Sequence, residues 1–190
     1  MELSTLITIV ILVVIVGYVV TIYNGLVTLK HQVKTALSNI DVILVQRHDE
    51  LPKLVATCKQ YMGYEQETLE RVVQARSQVF SANKSGDMKQ LGAAESQLRQ
   101  GLGQLFALAE SYPELKADQQ FTLLQTRVVA LESSISDRRE VYNESVNNNN
   151  VRIEQFPDVL IARAFNFEAA TLLEFEEEQK TDVNLDKLFG

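Results

Sequence analysis

From Leu3 to Ile22 the chain reads LSTLITIVILVVIVGYVVTI, with no charged residue. Twenty residues at ~1.5 Å each make about 30 Å of helix, the thickness of a bilayer's hydrocarbon core. A secretory leader needs a basic start, a shorter apolar run and a small-residue cleavage site. Here Met1 and Glu2 open the chain, and Tyr18, Tyr23 and Asn24 stand where cleavage would fall. The expectation is an uncleaved single-span anchor over residues 1–23. Its N-terminal flank has no Lys or Arg, whereas its C-terminal flank carries Lys30, Lys34 and, further on, Arg47. Basic flanks mark the cytoplasmic side. The N-terminus is therefore expected outside, at the periplasmic face, with the remainder cytoplasmic.

About 165 residues remain, enough for one soluble domain. The only cysteine, Cys58, excludes an internal disulfide, and its apolar helix position reads as a buried small hydrophobe. The net charge of −7 argues against nucleic acid, whose phosphates need clustered Lys and Arg. Residues 157–190 hold eight acidic residues (Asp158, Glu168, Glu174, Glu176, Glu177, Glu178, Asp182, Asp186) against three basic ones. This is expected to be a solvated, partly flexible segment, or one that meets a basic partner.

Across residues 24–156 apolar residues recur every three or four positions, the mark of amphipathic helices. The first stretch runs from Leu26 through Ile40, Leu51 and Cys58 to Tyr61, continuing the anchor, with a kink expected at Pro52. The second covers Glu65 to Phe80 and ends at Asn83-Lys84-Ser85-Gly86-Asp87, where Asp87 is the expected N-cap of the third. The third runs from Met88 to Leu108 and closes at Tyr112-Pro113. The fourth runs from Phe121 to Phe156, where Pro157 stops it.

The phase passes straight through Tyr61-Met62-Gly63-Tyr64, so burial must decide whether the chain turns there. An unbroken rod from Asn24 to Asn83 would be about 90 Å long, too long for two short helices to cover. A turn near Gly63 gives helices of roughly 37, 20, 26 and 39 residues, which close an all-α, antiparallel up-and-down four-helix bundle with long outer helices. Phe156 is then expected near Leu26, and Tyr142 near Ile40 and Asp41. Phe156–Phe167 would lie at the membrane surface or pack on the bundle end.

Five strings resemble the LemA family of bacterial membrane-anchored proteins: YNGLVTLKHQVKTALSNIDVILVQRHDELPKLV (Tyr23 to Val55), YEQETLERVVQAR (Tyr64 to Arg76), YPELKADQQFTLLQ (Tyr112 to Gln125), RREVYNESV (Arg138 to Val146) and FPDVLIARAFNF (Phe156 to Phe167). They occur in the family's order along the whole chain. The resemblance implies an N-terminal anchor with the N-terminus outside, an antiparallel four-helix cytosolic bundle and no established enzymatic activity. It also implies kinship with a protein of magnetosome formation and, by gene neighbourhood, an association with a heat-shock-type membrane zinc metalloprotease. Two departures from the family pattern are visible, at Asn147-Asn148-Asn149-Asn150 and at Ser136-Asp137-Arg138.

Motifs that carry chemistry are missing. Neither H-E-x-x-H nor E-x-x-H occurs, and Gly101-Leu102-Gly103 lacks the rest of a phosphate loop. His31 and His48 are seventeen residues apart, and His48-Asp49-Glu50 point in different directions on a helix. No catalytic, cofactor or metal residue is expected, and no enzyme. Arg47, Arg76, Arg138 and Asn149 share the phase of the core, with Asp41, Asp49, Glu110 and Glu132 as candidate partners. Register-setting ion pairs are expected there. The run Asn147–Asn150 is expected to bend or weaken its helix. The function expected is an adaptor or scaffold at the bacterial inner membrane, in contact with the bilayer and another membrane protein, possible partners being that metalloprotease or further copies of the chain. Self-assembly is the alternative, and it would be favoured by outward-facing Val73, Phe106 and Leu123.

Overall fold

The computed structural model describes residues 2–175. Among them there is no strand, and six helices follow one another: α1 (Leu3–Tyr61), α2 (Gln66–Ser85), α3 (Met88–Ala109), α4 (Pro113–Ala117), α5 (Gln119–Glu154) and α6 (Asp158–Ala164). The all-helical expectation therefore holds.

The breaks follow local chemistry. At the first, Met62 still bonds back to the Cys58 carbonyl at 2.8 Å, and its side chain is buried. The chain then turns at Gly63-Tyr64, as burial required. At the second, Gly86 adopts φ +71° and its N–H reaches the Asn83 carbonyl. A side chain would be strained in this left-handed helix ending. Asp87 follows, and its carboxylate accepts the N–H groups of Lys89 and Gln90 at 3.0 Å each, capping α3.

The third break differs from expectation. α3 ends at Ala109, before Tyr112-Pro113, and a separate five-residue helix opens with Pro113 in its first turn. Asp118 then starts α5 by accepting the Phe121 N–H at 2.9 Å. As a result α3 has 22 residues and α5 has 36, both shorter than expected. Pro52 sits within α1, which runs on to Tyr61.

The chain divides into two compact units. Of the described residues, one takes in those up to Ile43 together with Ser133–Leu172, and the other takes in Leu44–Glu132 with residues 173–175.

In the first unit, Ile22 and Leu26 of α1 cluster with Ile153 of α5 and Ala162 of α6, flanked by Ile161 and Phe167. The expectation for Phe156 fails. The helix ends at Glu154, and Phe156 is 81% exposed, so Ile153 takes the place beside Leu26. Phe165 and Phe167 meet the Tyr23 ring edge-on, at 4.8 and 5.7 Å. The chain then extends past Asn150, whose side-chain amide pairs with both backbone groups of Ala170, at 2.8 and 2.9 Å. Tyr142 is buried, and its hydroxyl donates to the Thr171 carbonyl at 2.8 Å.

In the second unit, the core is built from Leu51, Leu54 and Cys58 of α1, Leu69 and Val72 of α2, Leu91, Leu98 and Leu105 of α3, and Phe121 and Val128 of α5. Each such buried side chain contributes about 1.5–3 kcal/mol. Here α1 and α5 run antiparallel, because Arg47 meets Glu132 while Tyr61, further along α1, meets Asp118 at the start of α5. α2 and α3 approach closely at Gly101, where a Cβ would stand 3.5 Å from the Val72 side chain.

Candidate functional site

α1 is exposed at every residue from Leu3 to Tyr18, although all but a few of these are apolar. It is the one helix among the described residues long and apolar enough to cross a membrane, and its most apolar window is almost entirely unburied. A core helix of a soluble protein would be covered. An uncovered one fits a membrane anchor, since lipid is the solvent such a surface needs.

Polar groups inside the second unit form the most developed network. Arg47 is 1% exposed and is held by Glu95 through one guanidinium nitrogen and by Glu132, at 2.5 Å, through another. Arg99 stands 3.6 Å from the second Glu132 oxygen. Two cations thus face two carboxylates. Burial opposes the charge on Arg47, but Glu95 and Glu132 outweigh it and hold its pKa above the ordinary value. Burial pushes the Glu95 carboxyl up, against the pull of Arg47. The arrangement fixes α1, α3 and α5 in register.

Beside it, Arg76 of α2 donates to the His48 carbonyl at 2.9 Å and to His48 Nε2 at 2.7 Å. A guanidinium can only donate, so His48 Nε2 accepts and the ring is neutral, with its proton on Nδ1. Partial burial and Arg76 together lower the His48 pKa, with Asp49 pulling weakly the other way. The imidazole stacks on Phe80, with centroids 4.6 Å apart, and Lys84 lies over the far ring at 5.0 Å.

The remaining sequence candidates are scattered. Asn149 is buried, as its phase implied. Arg138 is exposed, contrary to expectation. Glu110 is exposed and pairs with Lys116, and Asp49 is exposed, so neither serves the seam. The run Asn147–Asn150 stays helical throughout, and Asn150 has a structural role that the sequence reading missed. Cys58 is fully buried, and burial raises its thiol to about 11, which leaves it inert. His31 is exposed. Among the described residues no group of three or more His, Cys, Asp or Glu comes together. Of the acidic C-terminal residues, Asp158 is buried and pairs with Arg152. Glu176, Glu177, Glu178, Asp182 and Asp186 lie outside the described residues.

Glu95 was the partner that sequence reasoning missed. It lies four residues after Leu91 and three before Leu98, on the same buried stripe, so its phase alone could have identified it. The value of Gly92 was equally hidden. A Cβ there would run into the Glu174 carbonyl, so only glycine admits the backbone at this point.

Comparison with known proteins agrees with this anchored helical architecture. The LemA family matches residues 36–186. Magnetosome protein MamQ 2 of Paramagnetospirillum magneticum is 23% identical over 92% of this chain and 74% of its own length. Magnetosome protein MamQ of Magnetospirillum gryphiswaldense is 24% identical over 75% of the chain and 62% of its own length. Protein LemA of Metamycoplasma hominis is 25% identical over 87% of the chain and 74% of its own length.

Proposed function

The chain belongs to the LemA family, and on that premise we propose that it is a non-catalytic adaptor or scaffold held at the bacterial inner membrane. The reading places residues 1–23 across the bilayer with the N-terminus outside, residues 24–156 as an antiparallel four-helix bundle in the cytoplasm, and residues 157–190 as a further segment. The observation that carries it is the uncovered apolar start of α1, which continues as one helix into packed helical structure. An anchor of this kind keeps a binding surface at the membrane, a task that needs no reaction. Its charged interior is committed to internal pairing, which supports binding over chemistry.

The partner in this reading is another membrane protein. A heat-shock-type envelope metalloprotease is the leading candidate, on the family's gene neighbourhood alone. Self-assembly into membrane-organising patches is the second reading, and it has an observation of its own. Val73 and Leu123 are exposed apolar residues, although Phe106 is half-buried and contributes less. The kinship with magnetosome proteins is compatible with either.

Photo-crosslinking in living cells separates the two. With a photoreactive residue at Val73 or Leu123, crosslinks to a different membrane protein support the adaptor. Crosslinks between copies of the chain support self-assembly. Crosslinks to neither, with the protein present at normal level, would contradict both readings for this surface.

A further inference from the structure

α6 and its flanks present two unlike faces. One face is packed: Ala162 and Asp158 are buried, Ala162 on Ile22 and Leu26 of α1 and on Ile153 of α5. The other is apolar and bare: Phe156 is 81% exposed, Leu160 58% and Phe165 55%. Leu160 lies two residues from both Asp158 and Ala162, which puts it on the side of the helix opposite the packed one. Three large apolar groups within ten residues, all uncovered, call for an occupant.

The position of α6 along α1 indicates which occupant. Ala162 packs against Ile22, the last residue of the expected span, and Phe165 and Phe167 meet the ring of Tyr23, the residue after it, edge-on. If Leu3–Ile22 spans the bilayer, Tyr23 is at the water–lipid boundary, and α6 lies at the same level. An apolar surface held at that depth meets acyl chains and headgroups before it meets any soluble partner. Lys30, over the Phe167 ring at 6.0 Å, and exposed Arg163 supply cations suited to lipid phosphates.

We propose that Phe156, Leu160 and Phe165 dip into the lipid surface beside the anchor, so that α6 forms a second, interfacial membrane contact. The proposal rests on the anchored reading of α1. With two contacts, the helical segments beside the span are fixed in tilt and rotation as well as tethered.

The test uses the full-length chain reconstituted in phosphatidylcholine vesicles containing one quarter phosphatidylglycerol. Single cysteines are introduced as Leu160→Cys, Val13→Cys or Val141→Cys and labelled with an environment-sensitive fluorophore. The unsubstituted chain serves as the blank for buried Cys58. Val141 is exposed on α5, twelve residues before Ile153 and thus about 18 Å further along the helix. Quenching is read with nitroxide lipids labelled near the headgroup or near the chain end.

The expected result is strong quenching of the Leu160 label by the headgroup nitroxide, strong quenching of the Val13 label by the chain-end nitroxide, and little of the Val141 label by either. Quenching at Val13 without quenching at Leu160 overturns the interfacial contact and leaves the anchor standing. No quenching at Val13 overturns the anchored reading itself. A label at Phe156, combined with Leu160→Asp and Phe165→Asp, checks the wedge independently. It should lose the headgroup quenching that it shows in the parent, and full retention of that quenching would also count against the proposal.

Discussion

Arg47 and Glu95 form an ion pair with both side chains out of water, at 1% and 2% exposure. The pair joins α1 to α3, and the second nitrogen of the same guanidinium reaches Glu132 on α5. Removing one member of such a pair leaves a buried charge without compensation. Arg47→Met is expected to destabilise the protein by about 3 kcal/mol at neutral pH, read by urea titration. Replacing Arg47 and Glu95 together by apolar residues of similar size should recover a large part of that loss. A double variant no better than the single one would mean that the pair is not coupled.

Glu95 gives the same site a pH signature. Burial raises its folded pKa, so the folded state holds the proton more tightly than the unfolded chain does. Such a group favours folding below the unfolded glutamate value of about 4.3, and that contribution is lost as pH rises through the folded value. Without Arg47 the carboxyl loses the cation that offsets burial, and its pKa climbs further. The stability deficit of Arg47→Met should therefore shrink on acidification. A deficit that is constant from neutral pH down to the acid limit would count against an ionised Glu95 in the parent.

His48 responds in the other sense. Its pKa is lowered by burial and by Arg76, so its contribution is present above the ordinary histidine value of about 6.5 and is lost as pH falls through the folded value. Proton-detected titration of the imidazole should give a value below 6.5 in the parent and a higher one in Arg76→Gln. An unchanged value in that variant would leave burial as the sole cause.

Much of the helical organisation was legible because each break carries its own local signal. Asp87 has the spacing of an N-cap, and Gly86 before it tolerates the left-handed turn. The turn at Gly63 had no such signal and came instead from the burial argument. Arg47 was visible as a charge in the phase of the core, and Glu132 as one of its candidate partners. Arg138 shows where that reasoning stops. Ile135, three residues before it, and Tyr142, four after it, are buried while Arg138 faces water, so a place in the three-and-four spacing does not by itself take a long charged side chain inside. The contacts of the extended segment after α6 were invisible, because Asn150, Tyr142 and Gly92 serve it through backbone groups that have no sequence pattern.

Those contacts are testable one at a time. Asn150→Ala should cost about 2 kcal/mol, since it leaves both backbone groups of Ala170 without their partner. Gly92→Ala should displace the backbone at Glu174, seen as faster amide exchange around Leu173 and Glu174. Gly103 is the control: it is helical and exposed, with open space where its Cβ would stand. Gly103→Ala should stabilise by up to about 1 kcal/mol, with no change in exchange at Glu174. Equal behaviour of the two variants would remove the special role of Gly92.

Asp118 starts α5 and also accepts the Tyr61 hydroxyl at 2.9 Å. The Phe121 N–H and that hydroxyl hold its carboxyl below the ordinary aspartate value. Its contribution is therefore present above about 3.9 and is lost as pH falls through the folded value. Asp118→Ala should lower the melting temperature. Asp118→Asn should retain most of it, because asparagine caps equally well. A loss of the same size in both variants would assign the effect to charge instead of capping.

The adaptor reading is tested most directly by the mass and composition of the full-length protein extracted gently from native membranes, by size exclusion with light scattering and peptide identification. The expected result is a discrete complex that holds this chain and a second membrane protein in fixed ratio. A large species made of this chain alone would move the function to self-assembly. A bare monomer from membranes whose other complexes survive extraction would contradict the reading of a stable adaptor.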